Sequence, residues 1–358
     1  MFCGGSAGSA RASSRTAPSE AKHVVVYDEP GRFGAWPANH GVWIWGNEIA
    51  VGFSRGWYKE HDKDHSIDRA KPSAPALARS LDGGVTWTIE DHPELEQGVA
   101  KSPPKLDFQA PNFALRVRDN TFYTSNDRGH HWDGPWAFPD FKVGQLTSRT
   151  DYLVQGPQDC LFFLSVTDKR VQAGIADRAF AVRTTDGGKT FKFLGWMTGD
   201  EPILARAAMP ATVRAADGSL VSLLRRRFDL KTGYRNEFDW IDAYGSANDG
   251  IDWHFLSRVA YTDLGERNGN PPSLVRLPDG RLVAAYGVRY DPCGIRARVS
   301  RDNGRTWGAE LVLRDDGRKW DLGYCRSVVR PDGRIVTIYY FTTAEHPEPH
   351  IEASIWLP

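Results

Sequence analysis

Five octapeptides carry one shared turn chemistry, and they restrict the fold more than any bulk property of the chain. They are Ser80-Leu-Asp82-Gly-Gly84-Val-Thr86-Trp87, Ser125-Asn-Asp127-Arg-Gly129-His-His131-Trp132, Thr184-Thr-Asp186-Gly-Gly188-Lys-Thr190-Phe191, Ser246-Ala-Asn248-Asp-Gly250-Ile-Asp252-Trp253 and Ser300-Arg-Asp302-Asn-Gly304-Arg-Thr306-Trp307. In each, the Asp or Asn side chain can accept hydrogen bonds from backbone N–H groups of its own turn. The Gly tolerates positive φ, and the terminal aromatic can bury itself between neighbouring sheets. The starts at 80, 125, 184, 246 and 300 are 45, 59, 62 and 54 residues apart. That is the span of one four-stranded blade plus variable loops, so the spacing predicts an all-β propeller.

A second signal falls between these boxes: an apolar segment, an Asp-Gly pair and another apolar segment. It reads Thr212-Val-Arg-Ala-Ala-Asp217-Gly218-Ser-Leu-Val, Ser273-Leu-Val-Arg-Leu-Pro-Asp279-Gly280-Arg-Leu-Val and Ser327-Val-Val-Arg-Pro-Asp332-Gly333-Arg-Ile-Val. These predict hairpins joining the two inner strands of a blade. Val42-Trp-Ile-Trp-Gly46-Asn47-Glu-Ile-Ala-Val gives the first blade a similar start. Six units can be counted, beginning near residues 40, 111, 149, 209, 271 and 324. The early segment His23-Val-Val-Val-Tyr27 is expected to join a terminal sheet and close the ring, which removes exposed edges.

The 358 residues are expected to comprise a leader at 1–22, rich in Gly, Ser and Ala and read as disordered, and one propeller domain at 23–358. Cys3-Gly-Gly-Ser6 is compatible with the remnant of a lipoprotein cleavage site. No apolar run approaches 18 residues, so no membrane span is expected. The 45 basic and 45 acidic side chains cancel, which argues against nucleic acid as a partner. Cys3, Cys160, Cys293 and Cys325 are scattered and form no C-x-x-C pair, so no metal site and no cofactor is expected, a structural calcium or other ion between blades excepted.

Propeller geometry turns the repeat into a map. The Asp-Gly hairpins and the boxes fall on one face, called lower here. The inter-blade connections and the loops between second and third strands fall on the upper face. The upper face collects Asn39 and His40, Arg149 and Asp151, Met209 and Pro210, Asn270 and Pro271, and Tyr324 and Arg326. It also receives Arg225, Arg226 and Arg289 from second-strand ends, and a loop carrying His61 and His65. A planar guanidinium matches a carboxylate bidentately and aromatic faces suit sugar rings, so an acidic oligo- or polysaccharide is the expected ligand. His130 and His131 lie inside a box and read as turn residues.

The box repeats resemble the sialidase superfamily over nearly the whole chain. Within it, Trp36-Pro-Ala-Asn-His40-Gly-Val-Trp-Ile-Trp45-Gly-Asn-Glu-Ile, Ser148-Arg-Thr-Asp-Tyr152, Asn268-Gly-Asn-Pro-Pro-Ser273 and Asp321-Leu-Gly-Tyr324 resemble propeller-type ulvan lyases and rhamnosyl-glucuronate-cleaving enzymes. That resemblance implies seven blades and cleavage beside a uronic acid by histidine, tyrosine and a charge-neutralising arginine. It implies catalytic roles for His40, His61 and Arg149, with the tyrosine left among Tyr152, Tyr234 and Tyr324, of which Tyr324 is taken forward.

The expected activity is therefore that of a polysaccharide lyase acting by β-elimination, with His65, Arg225, Arg289, Asn270, Tyr152 and Arg326 binding substrate. A glycoside hydrolase of rhamnosidase or sialidase type on the same face is the alternative, with Asp151, Asp239 and Asp321 as candidate carboxyls. A non-catalytic glycan-binding propeller is the third. A monomer working outside the cell or in the periplasm is expected.

Overall fold

The computed structural model describes residues 21–168, 176–199, 205–228, 237–265 and 267–358, with Thr16 and Pro18 ahead of them. Most of the leader and Tyr234 lie outside these residues. The strands fall into six sheets of four or five strands, each antiparallel throughout. Six blades account for the whole described chain, so the seventh implied by the family likeness is not there.

Blade 4 gives the pattern in full: Ala205–Arg214, Leu220–Phe228, Glu237–Ser246 and His254–Gly265 pair in chain order. Blade 5 repeats it with Ser273–Arg276, Leu282–Val288, Gly294–Ser300 and Leu311–Arg314. Blade 3 does so with Tyr152–Gly156, Asp159–Asp168, Ala176–Thr184 and Lys192–Trp196. In blade 1, Gly41–Trp45 and Arg32–Ala35 both pair Glu48–Trp57, followed by Ala74–Ser80 and Thr88–Asp91. Second and third strands are packed on both faces: every residue of Leu282–Val288 and of Ile335–Phe341 is buried. This explains why they read as continuous apolar runs rather than alternating ones.

Two departures from the pattern matter. Blade 6 consists of Gly323–Val329, Ile335–Phe341 and His350–Trp356, and its outer strand is Lys22–Tyr27 from the start of the chain. The ring is thus closed by pairing the two chain ends, as expected from His23–Tyr27. In blade 2 the order is Ser148–Arg149, Ala114–Asp119, Thr121–Ser125 and Asp133–Ala137. Its innermost strand is only two residues long and arrives after the rest of the blade. The stretch 88–138 is shared between the outer strand of blade 1 and the three outer strands of blade 2.

The boxes are made by local hydrogen bonds. Asp82 Oδ1 accepts from the Ser80 hydroxyl at 2.8 Å and from the Thr86 amide at 2.9 Å, while Trp87 Nε1 donates to the Gly84 carbonyl at 3.0 Å. Asp302 repeats the first two contacts at 2.8 Å each. The Asp-Gly hairpins close equally tightly, as in Leu277 N–H to the Arg281 carbonyl at 2.8 Å. Both devices occupy one end of every blade that has them, leaving the opposite end free for longer loops.

Candidate active site

On the upper face, the ends of the second strands of blades 4, 5 and 6 converge. Arg225 closes the inner run of blade 4 and donates from Nη1 to the Tyr324 hydroxyl at 3.4 Å. Arg289, just past the second strand of blade 5, donates from Nη1 to the Asn268 carbonyl at 2.5 Å and from Nη2 to the Tyr340 hydroxyl at 2.9 Å. Both guanidiniums stand against the Tyr324 ring, 6.0 and 5.7 Å from its centroid. Neither forms an ion pair with a carboxylate among the described residues. Two buried guanidiniums with no ion-paired carboxylate among the described residues thus place positive charge on Tyr324, balanced only at a distance by Asp239 and Asp321.

Tyr324 is held in an unusual backbone conformation, with φ of 52°, directly after Gly323 at φ of 105°. The Gly323 position has no room for a side chain: a Cβ there would lie 2.2 Å from Asn270 Oδ1. That oxygen accepts the Tyr324 amide at 2.9 Å, so Asn270 fixes the tyrosine while its own Nδ2 has no partner among the described residues. Burial alone would raise the Tyr324 phenol, but Arg225 and Arg289 more than offset it and hold the phenol below its ordinary value. Backbone strain of this kind concentrates at functional sites.

Asp239 completes this side. It is wholly buried, and neither carboxyl oxygen meets hydrogen-bond geometry with any described residue, although the Gly269 amide approaches. Burial pushes its carboxyl up to about 6 against the pull of Arg225.

A second arm reaches in from blade 1. His65 Nδ1 lies 2.6 Å from Asp321 Oδ1, and its ring packs edge-on against Trp36 at 5.2 Å and tilted against Trp320 at 5.3 Å. Arg289 lies 5.2 Å from the same Trp320 ring. Asp321 also accepts the Ser66 amide and the Tyr340 hydroxyl, each at 2.8 Å. Burial would raise its carboxyl, yet the His65 contact leads a set of interactions that hold it below the usual range.

The structure therefore brings together Tyr324, Arg225, Arg289, Asn270 and His65. The other sequence candidates lie elsewhere. His40 is 1 % exposed, with Nε2 2.9 Å from the Ser54 hydroxyl and Nδ1 facing Arg116 Nη2 at 3.1 Å. Because Arg116 can only donate, Nδ1 is the acceptor and both ring nitrogens are occupied. Burial, then Arg116, hold this imidazole well below its ordinary value. Arg149 donates to Asp119 Oδ1 at 2.6 Å and to the Ser148 carbonyl at 2.7 Å. His61 sits partly exposed in its charged loop.

Tyr152 and Arg326 line a hollow of about 360 Å³ in the central channel, with Asp151, Thr212 and Ser273. Arg326 Nη2 is bound there to the Ala38 and Thr150 carbonyls at 2.8 Å each. A larger hollow of about 520 Å³ lies against the outer strand of blade 6, but its main cation, Arg314, is already paired with Asp316 and Glu352. No group of three His, Cys, Asp or Glu is placed to hold a metal ion among the described residues. No helix among them is long and apolar enough to cross a membrane.

Two contributors escaped the sequence reading. Tyr340 ends the second strand of blade 6, the same position that singled out Arg225 and Arg289, and that equivalence is the signal that could have found it. Trp320 directly precedes Asp321 and carries no signal beyond that.

Residues 109–337 match the family model described as BNR repeat-like domain. The chain belongs to this family. No curated protein matches the sequence. A protein of unknown function from Dyadobacter fermentans DSM 18053 superposes with TM-score 0.69 at 22% identity, covering 94% of this chain and 98% of that one. The Penicillium chrysogenum alpha-L-arabinanase complexed with arabinobiose gives 0.60 at 15%, covering 93% and 97%. The Trypanosoma rangeli sialidase gives 0.56 at 13%, covering 95% of this chain and 60% of its own. These likenesses establish a shared propeller fold.

Proposed function

We propose that this protein is a carbohydrate-active enzyme that cleaves a glycosidic bond beside a carboxylate-bearing sugar, by β-elimination. The observation that carries the reading is Tyr324 held between Arg225 and Arg289, two guanidiniums lacking a carboxylate partner among the described residues. A uronate carboxylate seated on the two arginines has its charge neutralised, which acidifies the adjacent C5–H bond. The Tyr324 phenolate, already favoured by the same two cations, takes that proton. The C5–H electron pair becomes the C4–C5 double bond. The C4–O pair leaves with the oxygen, which collects a proton from Nε2 of the His65 imidazolium and leaves the neutral Nδ1–H ring bonded to Asp321. The indoles of Trp36 and Trp320 beside His65 suit the apolar face of the neighbouring ring.

Hydrolysis is the second reading, and one observation favours it. Asp239, raised to about 6 and unpartnered, has the character of a general acid, and Tyr324 would then act as the nucleophile. The Penicillium chrysogenum arabinanase and the Trypanosoma rangeli sialidase, which share the fold, fit this alternative.

The deciding experiment incubates the protein with glucuronate-containing glycans in heavy-oxygen water. Elimination gives a new ultraviolet absorbance and no label in the product. Saturated, labelled product moves the assignment to hydrolysis. Ligand retention without any turnover leaves only a binding module.

A further inference from the structure

Asp321 is wholly buried, yet it touches both arms of the site. Its Oδ1 faces His65 Nδ1 at 2.6 Å and accepts the Tyr340 hydroxyl at 2.8 Å, and Oδ2 accepts the Ser66 amide at 2.8 Å. An ionised carboxylate can only accept, so His65 must carry its proton on Nδ1 and present Nε2 elsewhere. Nε2 has no partner among the described residues, and it is not one of the buried atoms sealed from solvent. On the other side, Tyr340 donates to Asp321, which leaves its oxygen lone pair for Arg289 Nη2 at 2.9 Å. One continuous line therefore runs from the imidazole through the carboxylate and the phenol to a guanidinium.

The neighbouring contacts hold this line in place. Lys319 Nζ bonds Glu60 at 2.9 Å and the Ser66 hydroxyl at 2.6 Å, and Arg318 reaches Glu60 at 3.3 Å. Trp320 Nε1 reaches the Asp62 carbonyl at 3.4 Å. Four consecutive residues of the segment entering blade 6, 318 to 321, thus grip the blade 1 loop that delivers His65. The ring is closed a second time on the upper face, independently of the strand pairing at the chain ends.

We propose that Asp321 is the positioning residue of the site, orienting His65 directly and Arg289 through Tyr340, so that proton donor and anion cradle are set by one carboxylate. This deepens the proposed function and rests on it for the roles of His65 and Arg289. A carboxylate serving only to hold a loop would need neither the imidazole nor the phenol.

The test uses the full-length protein and the variants Asp321→Asn, Asp321→Glu, Tyr340→Phe and His65→Gln. Nitrogen NMR of the His65 ring, without substrate, should give the Nδ1–H tautomer in the wild type and a mixture in Asp321→Asn. On a glucuronate-containing oligosaccharide, Asp321→Asn should lower kcat about 10²-fold and raise KM, with partial rescue by Asp321→Glu. Tyr340→Phe, which alters only the Arg289 branch, should raise KM by roughly 10-fold with kcat nearly kept. His65→Gln combined with Asp321→Asn should be little worse in kcat than either alone.

An unchanged His65 tautomer in Asp321→Asn overturns the proposal, as does a Tyr340→Phe variant with wild-type KM. Should Asp321→Asn fail to fold, the KM of Tyr340→Phe decides. A wild type that cleaves no uronate glycan removes the proposed function instead, and the tautomer measurement still decides the positioning role.

Discussion

Asp151 in the central channel offers a prediction whose size follows from its surroundings. Its carboxyl accepts the Thr212 hydroxyl at 2.8 Å and, more weakly, the Thr212 amide at 3.3 Å. Burial raises it from an ordinary 3.8 to about 7, with Thr212 and Arg326 pulling the other way. The folded protein therefore binds this proton more tightly than the unfolded chain. Its stabilising effect is complete below the unfolded value, declines as pH rises through the interval, and is gone above about 7. The full gap corresponds to ~4 kcal/mol, of which about 3 kcal/mol is lost between pH 5 and pH 8.5. Asp151→Asn removes the titration but gives up one of the Thr212 hydrogen bonds, at about 1 kcal/mol. The variant should thus be about 1 kcal/mol less stable than wild type at pH 5 and about 2 kcal/mol more stable at pH 8.5. Urea unfolding of both proteins at the two pH values measures this. A difference between them that is the same at both values refutes a proton held inside the channel.

Other predictions concern the mouth of the site. Tyr324→Phe should lower kcat roughly 10³-fold while the thermal midpoint stays within a few degrees, read by product formation and calorimetry. Ionised Asp239 competes with a substrate carboxylate for Arg225, so KM should rise as pH passes upward through about 6. Asp239→Asn should flatten that rise, and a wild-type KM independent of pH between 5 and 7.5 would remove Asp239 from the anion cradle. Gly323→Ala forces a Cβ against Asn270 Oδ1 at a left-handed position. It should cost about 2 kcal/mol or more and lower the thermal midpoint by about 5 °C.

The boxes made the propeller legible because each is a self-contained hydrogen-bonded turn, written within eight residues and repeated. Blade 2 was hard to read for the opposite reason: its inner strand, Ser148–Arg149, is two residues long and reaches its partner across about 30 residues of chain. The map of upper and lower faces placed Arg225, Arg289, Asn270, His65 and Tyr324 at one mouth, since it depends only on strand direction. The same map put His40 and Arg149 on that face and a motif likeness gave them catalytic roles, but neither reports whether a side chain is already occupied. His40 is enclosed by Ser54 from its own blade and Arg116 from the next, and Arg149 meets Asp119 across a strand pair. Such satisfaction depends on side chains far apart in sequence, as does the line from His65 to Arg289, whose members come from three blades.

Action of the Arg225–Tyr324–Arg289 mouth on an anionic sugar is what the proposed chemistry requires. It is tested most directly by giving the wild type one glucuronate-containing glycan in two forms, native and with its carboxyl groups reduced to alcohols, and following bond cleavage. Cleavage of the native form is expected, with at least a 10²-fold lower kcat/KM on the reduced form. Equal cleavage of the two would contradict it.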